Sequence, residues 1–381
     1  SSAQWTALAN TQLDGLGSLQ IFSLTNAQLD GLRGVQLTAL ANTQLDGLTS
    51  AQVVGLVDTQ LDALDSQQLT AFAATQLRGL GSSQLTNLAN TQLDGLTSAQ
   101  MTGLTTTQMD GLLSLQITAL ANTQLSGLNA VQVAGLTTTQ LGGLASAQLA
   151  ALSTTQLAGL LSTLVNALTT TQVDALSSSQ LAAWTPAQVG GLSSTHIVSL
   201  ANTQLAGLDS THVAALTSTQ LGGLRSGQLA TLTTTQVDGL NSTLINALSI
   251  TQLNALSSTQ IDSLSTLQMR GLSSLQLASL ADTQLDGLGM LQMAALTVTQ
   301  LGGLSGEQLA GLTTIQISGL SSTHVAFLTT TQIAGFCTTQ IAALTTAQIK
   351  GLTTTLIASL SQTLMLGLNP IAWSQTQVAS L

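Results

Sequence analysis

A repeat of eight residues constrains this chain more than any other feature. Octapeptides of the form [ST]-x-x-Q-[LIV]-x-[GA]-L run in phase over residues 1–368, forty-six in all. Five residues, 369–373 (NPIAW), break the phase, and a forty-seventh octad, 374–381 (SQTQVASL), follows. Repetition of this kind decides architecture first, because each unit of an array packs only on its neighbours. The expected organisation is one continuous octad solenoid over 1–368, a phase-breaking insert at 369–373 and a final octad at 374–381. Octads are numbered here from residue 1, and positions within an octad from 1 to 8.

Apolar residues sit at positions 5 and 8, three apart, which is helical spacing; strands alternate every second residue. One continuous helix is excluded. At about 100° per residue an octad drifts by about 80°, which smears any apolar stripe around the cylinder. The polar positions resolve the conflict. With position 1 as N-cap, position 4 becomes N3, and S/T-x-x-Q is a capping box. The preceding position 8 and position 5 then form the apolar staple across the same helix start. Pro186 in TPAQ falls on N1, where proline is tolerated. Every octad therefore starts a helix and ends the one before, giving helices of about one and a half turns. Helices below about 12–15 residues are marginal alone, so these must stack. The expected fold is an all-α solenoid of very short capped helices. A β-solenoid is the alternative, favoured by the Thr, Val, Ile and Gly content and by the suitability of stacked glutamines.

Odd and even octads differ. Position 7 is Gly in 20 of 23 even octads, but among odd octads only at Gly55, Gly103, Gly135 and Gly311. Position 6 carries Asp14, Asp30, Asp46, Asp62, Asp94, Asp110, Asp174, Asp238 and Asp286 in even octads, with Asp262 the odd exception. A required glycine means a positive φ or a close backbone approach, and either suits a sharp turn after a helix. This alternation predicts a coil of two octads, sixteen residues, with the Asp column on one edge. About 23 such coils at helix-packing distances of about 8–10 Å make a rod on the order of 200 Å long.

Apolar residues are 44% of the chain and regularly spaced, which argues against disorder. Aromatics are 2%, so the core must be aliphatic. The cations are Arg33, Arg78, Arg225, Arg270 and Lys350, and the net charge is −10. No basic patch exists for phosphates, which disfavours nucleic acid and anionic membranes. Ser, Thr and Gln interrupt every apolar run well short of the roughly 18–20 residues a membrane helix needs, so no membrane insertion is expected. The array opens at position 1 and closes at position 8, with no signal-peptide pattern at its start, which reads as a processed product or a piece of a longer array.

Candidate chemistry is sparse. Asp14, Asp30, Asp46, Asp62, Asp94 and Asp110 are weak metal candidates; a calcium ladder needs six to eight oxygens per ion, and no second carboxylate accompanies each Asp. The plainer reading is a solvated acidic edge, and no cofactor is expected. His196, His212 and His324 replace Gln at position 4; two histidines without cysteine or carboxylate support make a poor metal site. Leu164, Leu244, Leu356 and Leu364 also replace that Gln, which predicts a partly dry surface against either a neighbouring coil or another molecule and makes them candidates for contact between subunits. Phe22 and Phe327 lie off the core pattern, and Trp373 closes the insert; all three join that list. Cys337 stands at position 1 as a substitute for Ser or Thr. Glu307 is the only Glu, Tyr is absent and the serines occupy cap positions, so no catalytic constellation appears and an enzyme is not expected.

The stretches LTTTQLGGL, LTTAQIKGL and LANTQLDGL resemble the LTTxQIxAL-type octad arrays of very large secreted bacterial surface proteins. The resemblance covers essentially the whole chain. It implies an extracellular or cell-surface, adhesin-like or matrix-forming role. The expected function is structural: a rod that serves as filament subunit, adhesin stalk or matrix fibre, its partner a second copy met head-to-tail or laterally. The alternative is a periodic surface for polysaccharide or ice.

Overall fold

A computed structural model describes residues 1–368 and 373–378. Among the described residues there are forty-seven helices of four to six residues, one per octad, and no strand. The chain divides into two compact units, Ser1–Leu192 and Ser193–Leu381, each an all-α solenoid of short helices. No helix among the described residues is long and apolar enough to cross a membrane.

Octad 30 (233–240) shows how eight residues make one step. Thr233 is extended (φ −71°, ψ 158°) and caps helix Thr234–Val237. Its hydroxyl accepts from Gln236 N at 3.2 Å, and Gln236 Oε1 accepts from Thr233 N at 2.9 Å. This is the capping box the sequence predicts. Where position 1 is alanine the hydroxyl arm is lost and the glutamine arm stays, as in Ala41 N to Gln44 Oε1 at 2.8 Å. The helix closes with tightened bonds, Gly239 N to Gln236 O at 3.0 Å and Leu240 N to Val237 O at 2.9 Å. Two extended residues, position 8 and the next position 1, then swing the chain into the following helix. Leu88 (φ −61°, ψ 134°) and Ala89 (φ −67°, ψ 151°) are one such pair. No described residue has a positive φ, so the bend needs no glycine.

Positions 5 and 8 form the core, and the glutamine at position 4 is buried with them in nearly every octad. Positions 2, 3 and 6 face solvent. Each helix packs chiefly on the helix three octads away. Within each unit, from its fifth octad on, most glutamines reach carbonyls 28 and 31 residues earlier, in the octad four places back, as Gln36 and Gln236 do. A turn of the solenoid therefore takes between three and four octads. The expected coil of two octads is wrong, although the fold class stands. The physical reason is the bend: two extended residues turn the chain by less than a half-circle requires. Octads thus relate to one another as residues do in an α-helix, each bonded to the fourth along.

The same finding moves the aspartates. Successive even octads do not stack, so there is no single acidic edge. Asp14, Asp46 and Asp110 follow one row of octads four apart, with Arg78 between them, and Asp30, Asp62 and Asp94 follow another.

The final octad also has an informative register. Gln377 Nε2 donates to Ile349 O at 2.7 Å and Leu352 O at 2.8 Å, 28 and 25 residues back. By count these carbonyls belong to the octad three before it; by bond register it stands four after. Residues 369–372 and 379–381 lie outside the described residues, and with them most of the expected insert.

Candidate functional site

The repeated chemistry of this chain is a buried glutamine amide with every bonding capacity used. Gln236 is 3% exposed. Its Oε1 accepts from the N–H and the hydroxyl of Thr233, at 2.9 and 3.2 Å. Its Nε2 donates to Leu205 O at 2.7 Å and Leu208 O at 2.6 Å. A helix leaves its first donors and last acceptors without partners, and in helices this short those groups are most of the backbone. One side chain closes the start of its own helix and the end of the helix four octads earlier. Repeated along each unit, these amides form a ladder between turns. The capping arm was legible in the sequence; the ladder arm was not. Its signal is that Glu, which serves a capping box as well as Gln, never occupies position 4, the one Glu being Glu307 at position 3. A carboxylate accepts but cannot donate, so it could cap a helix yet not bond the carbonyls below.

Leu164, Leu244, Leu356 and Leu364 lie in the interior at the glutamine's place, 3–7% exposed. They are core residues and present nothing to a second molecule, which corrects their expected role in contact between subunits. The dry surroundings inferred for position 4 are those of the neighbouring turn. Phe22 and Phe327 do lie outside, 60% and 65% exposed, and Trp373 is half-buried.

Histidine imitates glutamine. His324 Nδ1 accepts from Ser321 N at 3.1 Å, and Nε2 lies 2.8 Å from Leu296 O. A carbonyl only accepts, so Nε2 carries the hydrogen and Nδ1 the lone pair. Ring-nitrogen chemical shifts in labelled protein near neutral pH are expected to report the Nε2–H tautomer for His324; an Nδ1–H signal contradicts the imitation. The Nδ1 atoms of His196 and His212 likewise accept backbone N–H bonds, at 3.1 Å each. That use takes the Nδ1 lone pair of each ring. His212 Nδ1 also lies 2.9 Å from Asp209 Oδ1. A hydrogen bond from the Thr211 hydroxyl is the main cause holding the exposed Asp209 carboxyl below its usual pKa.

The glycines form a second, alternating contact. Three octads on changes parity, so the contacts between turns are of two kinds. Even octads lay position 7 directly on the backbone of position 2 of the odd octad three before. A Cβ added to Gly127 would sit 2.0 Å from Ser98 O, and one on Gly95 would sit 2.1 Å from Ser66 O. Odd octads face side chains instead, as at Gly135, where an added Cβ would sit 3.2 Å from Thr106 Cγ2, or open space, as at Gly311. Close approach, not backbone sign, is what selects these glycines: Gly111 has φ −74° and ψ −15°. Threonine at position 6 of odd octads fastens the same contact. The single hydrogen of Thr70 Oγ1 is shared between Gly95 O at 2.5 Å and Ser66 O in its own helix at 2.7 Å. The small residue at odd position 2, usually serine, is the partner that the sequence reading missed. Where glycine and alanine change places the pair compensates, with Gly34 facing Ala63.

The candidate metal residues Asp14, Asp30, Asp46, Asp62, Asp94 and Asp110 are all exposed. No group of three or more His, Cys, Asp or Glu able to hold a metal occurs among the described residues. Cys337 is an exposed thiol whose pKa is lowered, chiefly by its hydrogen bond with the Thr339 hydroxyl. Shallow open grooves run beside the glycine contacts, floored by glycine and edged by polar side chains. Ser162, Thr163, Asn166 and Gly191 line one, and Ser322, Thr323, Lys350 and Gly351 another.

A family model described as the ALTTAQ repeat matches residues 165–202. Over this stretch the chain is similar to that repeat, and the six letters stand unbroken at 343–348. The match agrees with the fold in marking a repeat protein. No curated protein matches the chain.

Proposed function

We propose that this chain is a structural repeat protein of the cell exterior, a rod-like subunit of a self-assembling filament, adhesin stalk or matrix fibre, and not an enzyme. The observation that carries the reading is where the repeat spends its polar chemistry. Glutamine and the position-6 threonine of odd octads bond one turn to the next rather than converging on a pocket. A body built this way resists pulling apart of its turns beyond what its aliphatic core supplies. The partner in this reading is a second copy, met head-to-tail or laterally, with the exposed Phe22 and Phe327 as lateral contacts. Negative-stain microscopy over rising protein concentration tests it: elongated particles that lengthen or bundle are expected. Short isolated particles at every concentration sink the filament reading.

The grooves beside the glycine contacts favour one second reading, a periodic surface for polysaccharide. Their edges place Ser and Thr at positions 2 and 3 of an odd octad in both units, at octads 21 and 41. Retention of the protein on an insoluble polysaccharide, lost on addition of the soluble form, would support it. No retention on a panel of neutral and acidic polysaccharides ends it.

A further inference from the structure

Octad 21 (161–168, LSTLVNAL) is where cap and ladder fail together. Its position 1 is Leu161, and helix Ser162–Ala167 has no side-chain cap bond. Its position 4 is Leu164, which has no amide. Every other described octad keeps one arm. Those with leucine at position 4 keep the cap: Asn241 Oδ1 accepts from Leu244 N at 3.0 Å, Thr353 Oγ1 from Leu356 N at 3.2 Å and Ser361 Oγ from Leu364 N at 3.3 Å. Those without a capping oxygen keep the glutamine, as Ala145 N does with Gln148 Oε1 at 2.8 Å.

In octad 21 three backbone groups go without the bond their equivalents make. Leu161 N has no Oε1 to receive it. The carbonyls of Val133 and Leu136, which the ladder register assigns to position 4 of this octad, have no Nε2, and Val133 O keeps the Leu136 N–H, at 3.3 Å. Leu164 N keeps its bond to Leu161 O at 2.9 Å, and one more leucine is buried in exchange. Leucine burial acts on the folded helix alone, whereas unmatched polar groups favour states in which water reaches them. Water is close at hand: Leu161 is 56% exposed, and an open groove runs past Gly159, Leu160, Ser162 and Thr163.

We propose that octad 21 is the opening point of the unit Ser1–Leu192, the helix that unfolds first while the turns before it stay folded. In a linear array local stability is set by a unit and its immediate neighbours. Opening there loosens octads 18 and 24, which pack on it, and leaves the earlier turns intact. The chain thus has a built-in yield point at a known helix.

Native-state hydrogen exchange read by mass spectrometry on the full chain tests this. Amides of octad 21 are expected to exchange about tenfold or more faster than those of octads 10–16. Leu161→Thr with Leu164→Gln restores the consensus and is expected to slow octad 21 by about tenfold, with octads 10–16 unchanged. The converse pair, Thr105→Leu with Gln108→Leu, is expected to create a second fast segment at octad 14. Uniform protection along the unit, or a restored variant that exchanges as fast as the parent, overturns the proposal. If the converse variant does not fold, the restored variant still decides.

Discussion

Gln236→Glu is expected to destabilise its unit by about 3 kcal/mol or more at neutral pH, far beyond what a one-atom change suggests. The introduced carboxylate keeps the capping bond from Thr233 N but loses both donors to Leu205 O and Leu208 O. Three oxygens then face one another in a buried place, one of them charged. Gln236→Leu is expected to cost less, since Leu244 and Leu356 show that the position accepts leucine where the cap is kept. The order Gln, then Leu, then Glu separates a ladder from simple capping, which ranks Glu beside Gln. The pH dependence has a definite sign. Burial raises the introduced carboxyl above its unfolded value of about 4.3. The folded state then holds the proton more tightly, so the deficit is largest above the raised pKa and shrinks as pH falls toward the unfolded value. Urea unfolding followed by circular dichroism, at pH 7 and near pH 4, reads both effects.

Gly127→Ala is expected to cost about 3 kcal/mol, while Gly311→Ala is expected to stabilise by about 0.5–1 kcal/mol. The same substitution at the same octad position thus changes sign between this even octad and this odd one. At Gly127 the new methyl would lie 2.0 Å from Ser98 O, a backbone atom held by its own helix, so two turns must move apart. At Gly311 nothing lies within 4 Å, and only the entropic gain of alanine over glycine in a helix remains. Paired melts of the two variants measure this directly. Equal effects at both sites would mean that parity does not govern the packing.

What the sequence made legible was local, and the reason is the range of each interaction. Thr233 and Gln236 are three residues apart, so their capping box could be read from the letters, as could Pro186 at N1 of a helix capped by Thr185. The partners of Gln236 beneath it are 28 and 31 residues away, and spacing alone does not say which octads meet. The alternation of glycine is plain in the letters, but it does not mark a coil of two octads. It comes instead from a contact that steps by three, an odd number, which pairs every even octad with an odd one. The same limit of range applies to Leu164 and its equivalents. A leucine in place of glutamine signals dryness, but not whether a neighbouring turn or another molecule supplies it.

The glutamine ladder, with its turn of between three and four octads, is the claim on which the rest depends. Methionine is rare enough to test it. Gln132 Nε2 donates to Met101 O, Gln140 Nε2 to Met109 O and Gln300 Nε2 to Met269 O, at 2.8, 2.7 and 2.8 Å. Solid-state NMR on protein carrying ¹³C-carbonyl methionine and side-chain ¹⁵N glutamine measures the dipolar coupling between them. The ladder predicts strong dephasing from nitrogen–carbon distances of about 4 Å, which Gln132→Leu, Gln140→Leu and Gln300→Leu each reduce. Absence of that coupling in the folded parent protein would contradict the ladder and the coil built on it.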